Sequence, residues 1–146
     1  MLFKRHVRFG DSDGAGVIHF HNLFRWAHEA WEESLESFGL STINIFPGNV
    51  DNQDDPEVAL PIVHCRGDFV IPIRTGEMLE VEIDPQKIDC QSFQVLIKFK
   101  RGDDIVASTL IRHSAINVKT RKRCLLPKDI QLWLEASIVG GPIKPL

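Results

Sequence analysis

The sequence predicts an α+β domain in which a curved antiparallel sheet wraps one long helix. Three observations carry this. Leu23–Phe38 bears apolar residues at helical spacing, the chain from Val58 onward alternates apolar and polar residues between turns, and Ile105–Val118 is a β-rich run too long to lie flat. With 146 residues, 43% hydrophobic and 25% charged, the chain has the size and composition of a single globular domain over 1–146.

Leu2–Phe9 reads as the first strand. Phe3, Val7 and Phe9 fall on one side and Lys4, His6 and Arg8 on the other, with Arg5 interrupting the apolar row. Phe9–Gly16, Phe-Gly-Asp-Ser-Asp-Gly-Ala-Gly, then crowds two carboxylates and three glycines into a loop free to turn tightly and to approach a ligand. In the helix that follows, Leu23, Trp26, Ala27, Ala30, Trp31, Leu35 and Phe38 form the inner stripe, opposite Arg25, Glu29, Glu32, Glu33 and Glu36. Asn22 suits the N-cap and Gly39 the C-terminal glycine, giving a rod of about 24 Å.

Ser41–Glu57, with Asp51, Asp54 and Asp55, reads as a solvated loop whose spacing fits no calcium site. Leu79, Val81 and Ile83 alternate with acids, and Phe93, Val95, Ile97 and Phe99 alternate with Gln94, Lys98 and Lys100. Turns at Asp89–Ser92 and Arg101–Asp104 join these runs into hairpins. At about 3.3 Å per residue the Ile105–Val118 strand would reach some 46 Å, which requires strong curvature. Ile130, Leu132, Trp133 and Leu134 suggest one short helix before Gly140–Pro145 ends regular structure.

A net charge of −3 gives no reason to expect nucleic acid or an anionic membrane as partner, and no apolar run approaches the ~20 residues of a span. The N-terminal residues lack an apolar export region, so a cytoplasmic protein is expected. Cys65, Cys90 and Cys124 match no disulfide framework or metal spacing.

In the Phe9–Gly16 loop Asp13 is the expected working group, and Asp11 a structural residue that helps orient it. Both could also be ordinary turn formers. Gly10–Gly14 formally matches G-x-S-x-G and resembles the first block of GDS-type esterases, but no late acid-histidine pair supports Ser12 as a nucleophile. His19, His21 and His28 lie close in sequence without a metal pattern, so no metal is expected.

The order of elements, with Asp13-x-x-Gly16, the aromatic Phe20 and the Asn22-x-x-x-Trp26 helix start, resembles the hotdog-fold acyl-CoA thioesterases of the 4-hydroxybenzoyl-CoA thioesterase type, from about Phe3 to Pro127. Leu60-Pro-Ile-Val-His64, leading to Asp68-Phe69 and Pro72, most resembles the branch acting on 1,4-dihydroxy-2-naphthoyl-CoA in phylloquinone synthesis. The resemblance implies a five-stranded sheet around the helix, a homodimer with interfacial active sites, and dimers that pair into tetramers. It implies Asp13 as nucleophile or general base. The N–H groups of Phe20 and, from the partner subunit, of Ala59 would be oxyanion contacts, and Gly16, His28 and His64 would border the acyl pocket, although a structural role accounts for each histidine equally well. No cofactor is implied, coenzyme A being part of the substrate.

Coenzyme A brings phosphates, and Lys119–Arg123 is the densest basic group. Arg121, Lys122 and Arg123 are its expected ligands, although a solvated turn accounts for them equally well. The basic cluster that the 4-hydroxybenzoyl type carries before the fourth strand is replaced here by Asp89-Cys90-Gln91. Broader acyl-CoA or acyl-carrier hydrolysis, and a non-catalytic acyl-CoA-binding domain, are the alternatives.

Overall fold

The computed structural model describes residues 1–48 and 55–138; Asp51, Asp54 and the Gly140–Pro145 tail lie outside them. Strands β1 (Leu2–His6), β4 (Met78–Lys87), β5 (Ser92–Arg101), β6 (Asp104–Ser114) and β3 (Ile62–Phe69) form one antiparallel sheet in the order β1-β4-β5-β6-β3. A separate ribbon pairs β2 (Val58–Ala59) with β7 (Ile116–Asn117). Helix α1 (Phe20–Phe38) lies across the sheet, with the single-turn α2 (Thr42–Ile45) beside it and the terminal α3 (Lys128–Ile138) packed against β4. This is the hotdog arrangement.

The alternation read in the sequence places the core. Phe93, Val95, Ile97 and Phe99 of β5, and Leu79, Val81 and Ile83 of β4, are all buried against the helix side. They meet the stripe Leu23–Trp26–Ala27–Ala30–Trp31–Leu35–Phe38, every member of which is buried. Gly39 takes a left-handed φ of 101° and closes the helix. Trp133 brings α3 to the same core, edge-on to Phe93 at 5.8 Å.

Four details depart from the sequence reading. The helix begins at Phe20 and not after an Asn22 cap; Asn22 is buried within the first turn, its side chain donating to the Asp11 carbonyl at 2.9 Å. Phe9 is 84% exposed, because the chain leaves β1 after His6 and a 3₁₀ turn over Phe9–Asp11 rotates it outward. The long strand stops at Ser114. Ala115 donates to the Gln91 carbonyl, and the chain re-pairs as β7, so curvature comes from this break and from bulges at Phe99/Lys100 and Ile62/His64. The linker Ser41–Glu57 contains α2, whose Ile45 is buried.

Strand β3 is an edge. One side pairs with β6 and the other is open, while Ile62, Val63, Phe69 and Val70 are exposed along it.

Candidate active site

The loop before α1 is built by its own backbone. Ser12 bridges Ile18, the Asp13 N–H donates to the Val17 carbonyl at 2.7 Å, and Gly16 N–H returns to the Asp13 carbonyl at 3.2 Å. Gly16 has φ 77°, a conformation glycine adopts without a Cβ penalty. One Asp13 carboxylate oxygen accepts the Ala15 N–H at 2.8 Å, and the other has no partner among the described residues. The side chain is exposed in the single chain. Beneath it Asp11 is buried and paired with Arg25 at 2.8 Å.

Phe20, the first helical residue, has an N–H with no acceptor inside the helix, at the end where the helix dipole favours negative charge. The residue is 62% exposed. Phe24 and His28 follow at one-turn intervals, both half-buried. Opposite them β3 carries Gly67, and a Cβ built there would lie 3.0 Å from Phe24 Cζ. The Phe20–Phe24–His28 strip and the helix-facing side of β3 thus form one wall. Val17, Ile18, Phe69, Pro72 and Ile73 enclose a small apolar recess of about 150 Å³ beside the Asp13 loop.

His28 Nδ1 lies 3.0 Å from Glu32 Oε1, and its ring stands edge-on to Trp31 at 5.0 Å. Behind it His113 is 1% exposed, stacked on Phe93 at 4.9 Å and beside Trp31 at 4.3 Å. Its Nδ1–H donates to the Leu60 carbonyl at 2.9 Å, an assignment required because a carbonyl can only accept. Burial pushes its pKa down to about 4; the Leu60 carbonyl opposes this, and the nearby His28 adds to it. This histidine ties the Ala59–Leu60 segment to the aromatic core.

His64 stands apart from that wall. It pairs in register with exposed Arg112, which puts both on the outer sheet face, so the single chain does not bring His64 to His28. Ala59 is half-buried in β2, opposite Ile116.

The basic turn is exposed, with Arg121 in the left-handed region at φ 60°. Arg123 donates to Ser114 Oγ at 3.1 Å and shares a cleft of about 480 Å³ with Arg112, Val63 and Asp89. The Gln91 N–H, with the Ser92 hydroxyl, holds the Asp89 carboxyl below its usual range, so this cleft contains one fixed negative charge. Within one chain the Asp13 loop sits at the Phe69 end of β3, while Ala59 and Arg123 sit at the Ile62 end.

Sequence reasoning did not single out Gly67, His113, Arg25 or Arg112. A glycine inside a strand was the available signal for the first, since it often marks close approach of a neighbour. Among the described residues no group of three or more His, Cys, Asp or Glu side chains is arranged to hold a metal. Nor is any described helix long and apolar enough to cross a membrane.

Residues 7–134 match the thioesterase-like superfamily. The chain is 56% identical over 140 residues to the 1,4-dihydroxy-2-naphthoyl-CoA hydrolase of Prochlorococcus marinus (strain MIT 9313), covering 96% of this chain and 93% of that one. A crystal structure from the same strain superposes with a TM-score of 0.91 at 56% identity, over 94% of this chain and 95% of the other. The 1,4-dihydroxy-2-naphthoyl-CoA thioesterase from Synechocystis superposes with a TM-score of 0.80 at 30% identity, over 91% and 93%.

Proposed function

Because the chain belongs to the thioesterase-like superfamily, we propose that it hydrolyses 1,4-dihydroxy-2-naphthoyl-CoA to 1,4-dihydroxy-2-naphthoate and coenzyme A in the cytoplasm, within phylloquinone synthesis. The observation that carries the substrate is the near-complete coverage of this chain by relatives acting on that thioester. The geometry supports the reaction type through one unencumbered carboxylate oxygen on a tight turn at a helix N-terminus.

A thioester carbonyl needs a nucleophile and donors for the oxyanion that develops. Asp13 supplies the first, attacking the carbonyl carbon or taking a proton from the water that does. The C–S bond then breaks and coenzyme A leaves as its thiolate. On the general-base route this already gives the free acid, and Asp13 passes its proton to the thiolate or to solvent; on the nucleophilic route a water hydrolyses the Asp13 acyl anhydride, which releases the acid and restores the carboxylate. What the reaction asks of Asp13 is placement, within reach of the carbonyl carbon or of the attacking water. Phe20 N–H is the oxyanion donor within the chain, and the Phe20–Phe24–His28 strip is the wall for the aromatic acyl group.

The site is completed by a second copy. Antiparallel pairing of two β3 edges about a twofold axis brings the Phe69 end of one strand to the Ile62 end of the other. That juxtaposes Asp13 of one subunit with Ala59 and Arg123 of its partner, positions that a single chain keeps at opposite ends of β3. It also covers the exposed Ile62, Val63 and Phe69. Coenzyme A is substrate here, its phosphates meeting Arg121, Lys122 and Arg123. Pairing of dimers into tetramers belongs to the same proposal.

Comparing kcat/KM for 1,4-dihydroxy-2-naphthoyl-CoA, benzoyl-CoA and a straight-chain acyl-CoA tests this. The bicyclic thioester should lead; equal values across the three would remove the aromatic assignment.

A further inference from the structure

We propose that Asp11, Asn22 and Arg25 form a brace that sets the position of Asp13, making Arg25 a positioning residue for hydrolysis. This rests on the reading of Asp13 as the reacting carboxylate.

From Asp13 to Gly16 the loop is exposed, and its recorded hydrogen bonds stay within the loop: Asp13 N–H to Val17, Ala15 N–H to the Asp13 carboxylate, Gly16 N–H to the Asp13 carbonyl. Nothing in that tip fixes the carboxylate relative to the helix. The fixed points lie on either side. Downstream, Ile18 N–H donates to the Ile73 carbonyl at 3.0 Å. Upstream, the Ser12 N–H and hydroxyl both donate to the Phe9 carbonyl, at 3.1 and 2.6 Å, while the ties to the helix converge on Asp11.

Asp11 accepts four hydrogen bonds. Its carboxylate takes the Arg8 N–H and Arg25 Nη2, each at 2.8 Å. Its carbonyl takes the His19 N–H at 2.8 Å and Asn22 Nδ2 at 2.9 Å. Three of the four donors come from α1 or its entry. A helical side chain points toward the helix N-terminus, so Arg25 reaches back over Asn22 to the loop, touching Asn22 Oδ1 at 3.4 Å.

Arg25 is itself held. Its Nη1 donates to Glu29 Oε1 at 3.0 Å, Glu29 Oε2 lies 3.5 Å from Arg5 Nε, and Arg5 also pairs with Glu33. A row of alternating charge therefore runs from the loop along α1 to β1. It also gives a reason for the arginine that interrupts the apolar side of the first strand.

Arg25 and Glu29 are 49% and 40% exposed, so their contribution to stability is small, as for most solvent-facing pairs. Geometry is where the brace acts. Misplacing a reacting group by about 1 Å can cost on the order of 100-fold in rate without weakening binding. Asp13 is two residues from Asp11, close enough for a released Asp11 to pass its displacement on.

The test is steady-state kinetics and thermal melting of Asp11→Asn, Arg25→Gln, Arg25→Lys and Asp11→Asn/Arg25→Gln, with Asp13→Ala and Lys100→Gln alongside. The brace requires kcat of Asp11→Asn and of Arg25→Gln to fall about tenfold or more with KM within threefold. The double variant should be no slower than the slower single, and Arg25→Lys should recover part of the loss. Lys100→Gln, which removes an ion pair on the outer sheet face, should keep native kcat. An Arg25→Gln kcat within twofold of native, losses that multiply in the double variant, or a loss that vanishes when assayed well below a lowered melting point would each overturn the brace. An active Asp13→Ala enzyme would instead overturn the reading beneath it.

Discussion

The ring of Phe24 lies so close to the backbone of Gly67 that a Cβ on the glycine would stand 3.0 Å from Cζ and 3.5 Å from Cε2. The glycine lets helix α1 bring an aromatic side chain against the edge strand. Gly67 has no left-handed backbone demand, so Gly67→Ala acts through contact alone. Overpacking of about 1–3 kcal/mol should turn the ring into the acyl path and lower kcat/KM for the naphthoyl thioester roughly tenfold. Adding Phe24→Leu should return the value to within about threefold. A double variant as slow as the single would contradict this account.

Asp13→Ala should lower kcat by about 10²–10⁴. Because the side chain is exposed and its recorded side-chain hydrogen bond comes from the Ala15 N–H, the melting temperature should move by no more than about 2 °C. Turnover and calorimetry on one preparation check both halves.

Subunit mixing tests the shared site. Asp13→Ala and Arg123→Glu homodimers should each be poor enzymes. Refolded together, half of the dimers are mixed, and each mixed dimer carries one site with neither substitution, so about a quarter of native activity should reappear. If Asp13 and Arg123 serve the same site from one chain, mixing restores nothing.

His113 links stability to pH. Its folded pKa of about 4 lies below the usual 6.5, so between those values the unfolded chain binds the extra proton. The stabilisation is fully present above pH 6.5, is lost as pH falls toward 4, and amounts to on the order of 3 kcal/mol. His113→Phe keeps a ring between Trp31 and Phe93 but leaves the Leu60 carbonyl unpaired. It should cost about 1–3 kcal/mol at pH 8 and flatten the acid slope. Denaturant melts at pH 8, 6 and 4.5 would show an unchanged slope if the assignment is wrong.

The elements with strict periodicity were legible. The Leu23–Phe38 stripe and the alternation in β4 and β5 each bury the face the pattern assigned, because burial of one face is what period encodes. The Asp13–Gly16 turn was legible from glycine and aspartate chemistry. What escaped depends on partners distant in sequence. Asn22 resembles a cap but is consumed by the Asp11 carbonyl, and Arg5 looks misplaced until Glu29 and Glu33 arrive from the helix. His113 sits in a strand whose alternation predicts an inward side chain, yet nothing local says that the carbonyl of Leu60, 53 residues away, will accept its hydrogen bond. The break at Ala115 is set by Gln91 across a hairpin, which no window on one strand can contain.

Arg121 occupies a corner of the chain that glycine would take without effort. Holding an arginine at φ 60° costs on the order of 1 kcal/mol, so the fold carries a weaker joint at this turn. Arg121→Gly should therefore make a sturdier protein, and under the proposed contact with a coenzyme A phosphate it should do so at the expense of substrate affinity, so thermal improvement of this enzyme should begin elsewhere.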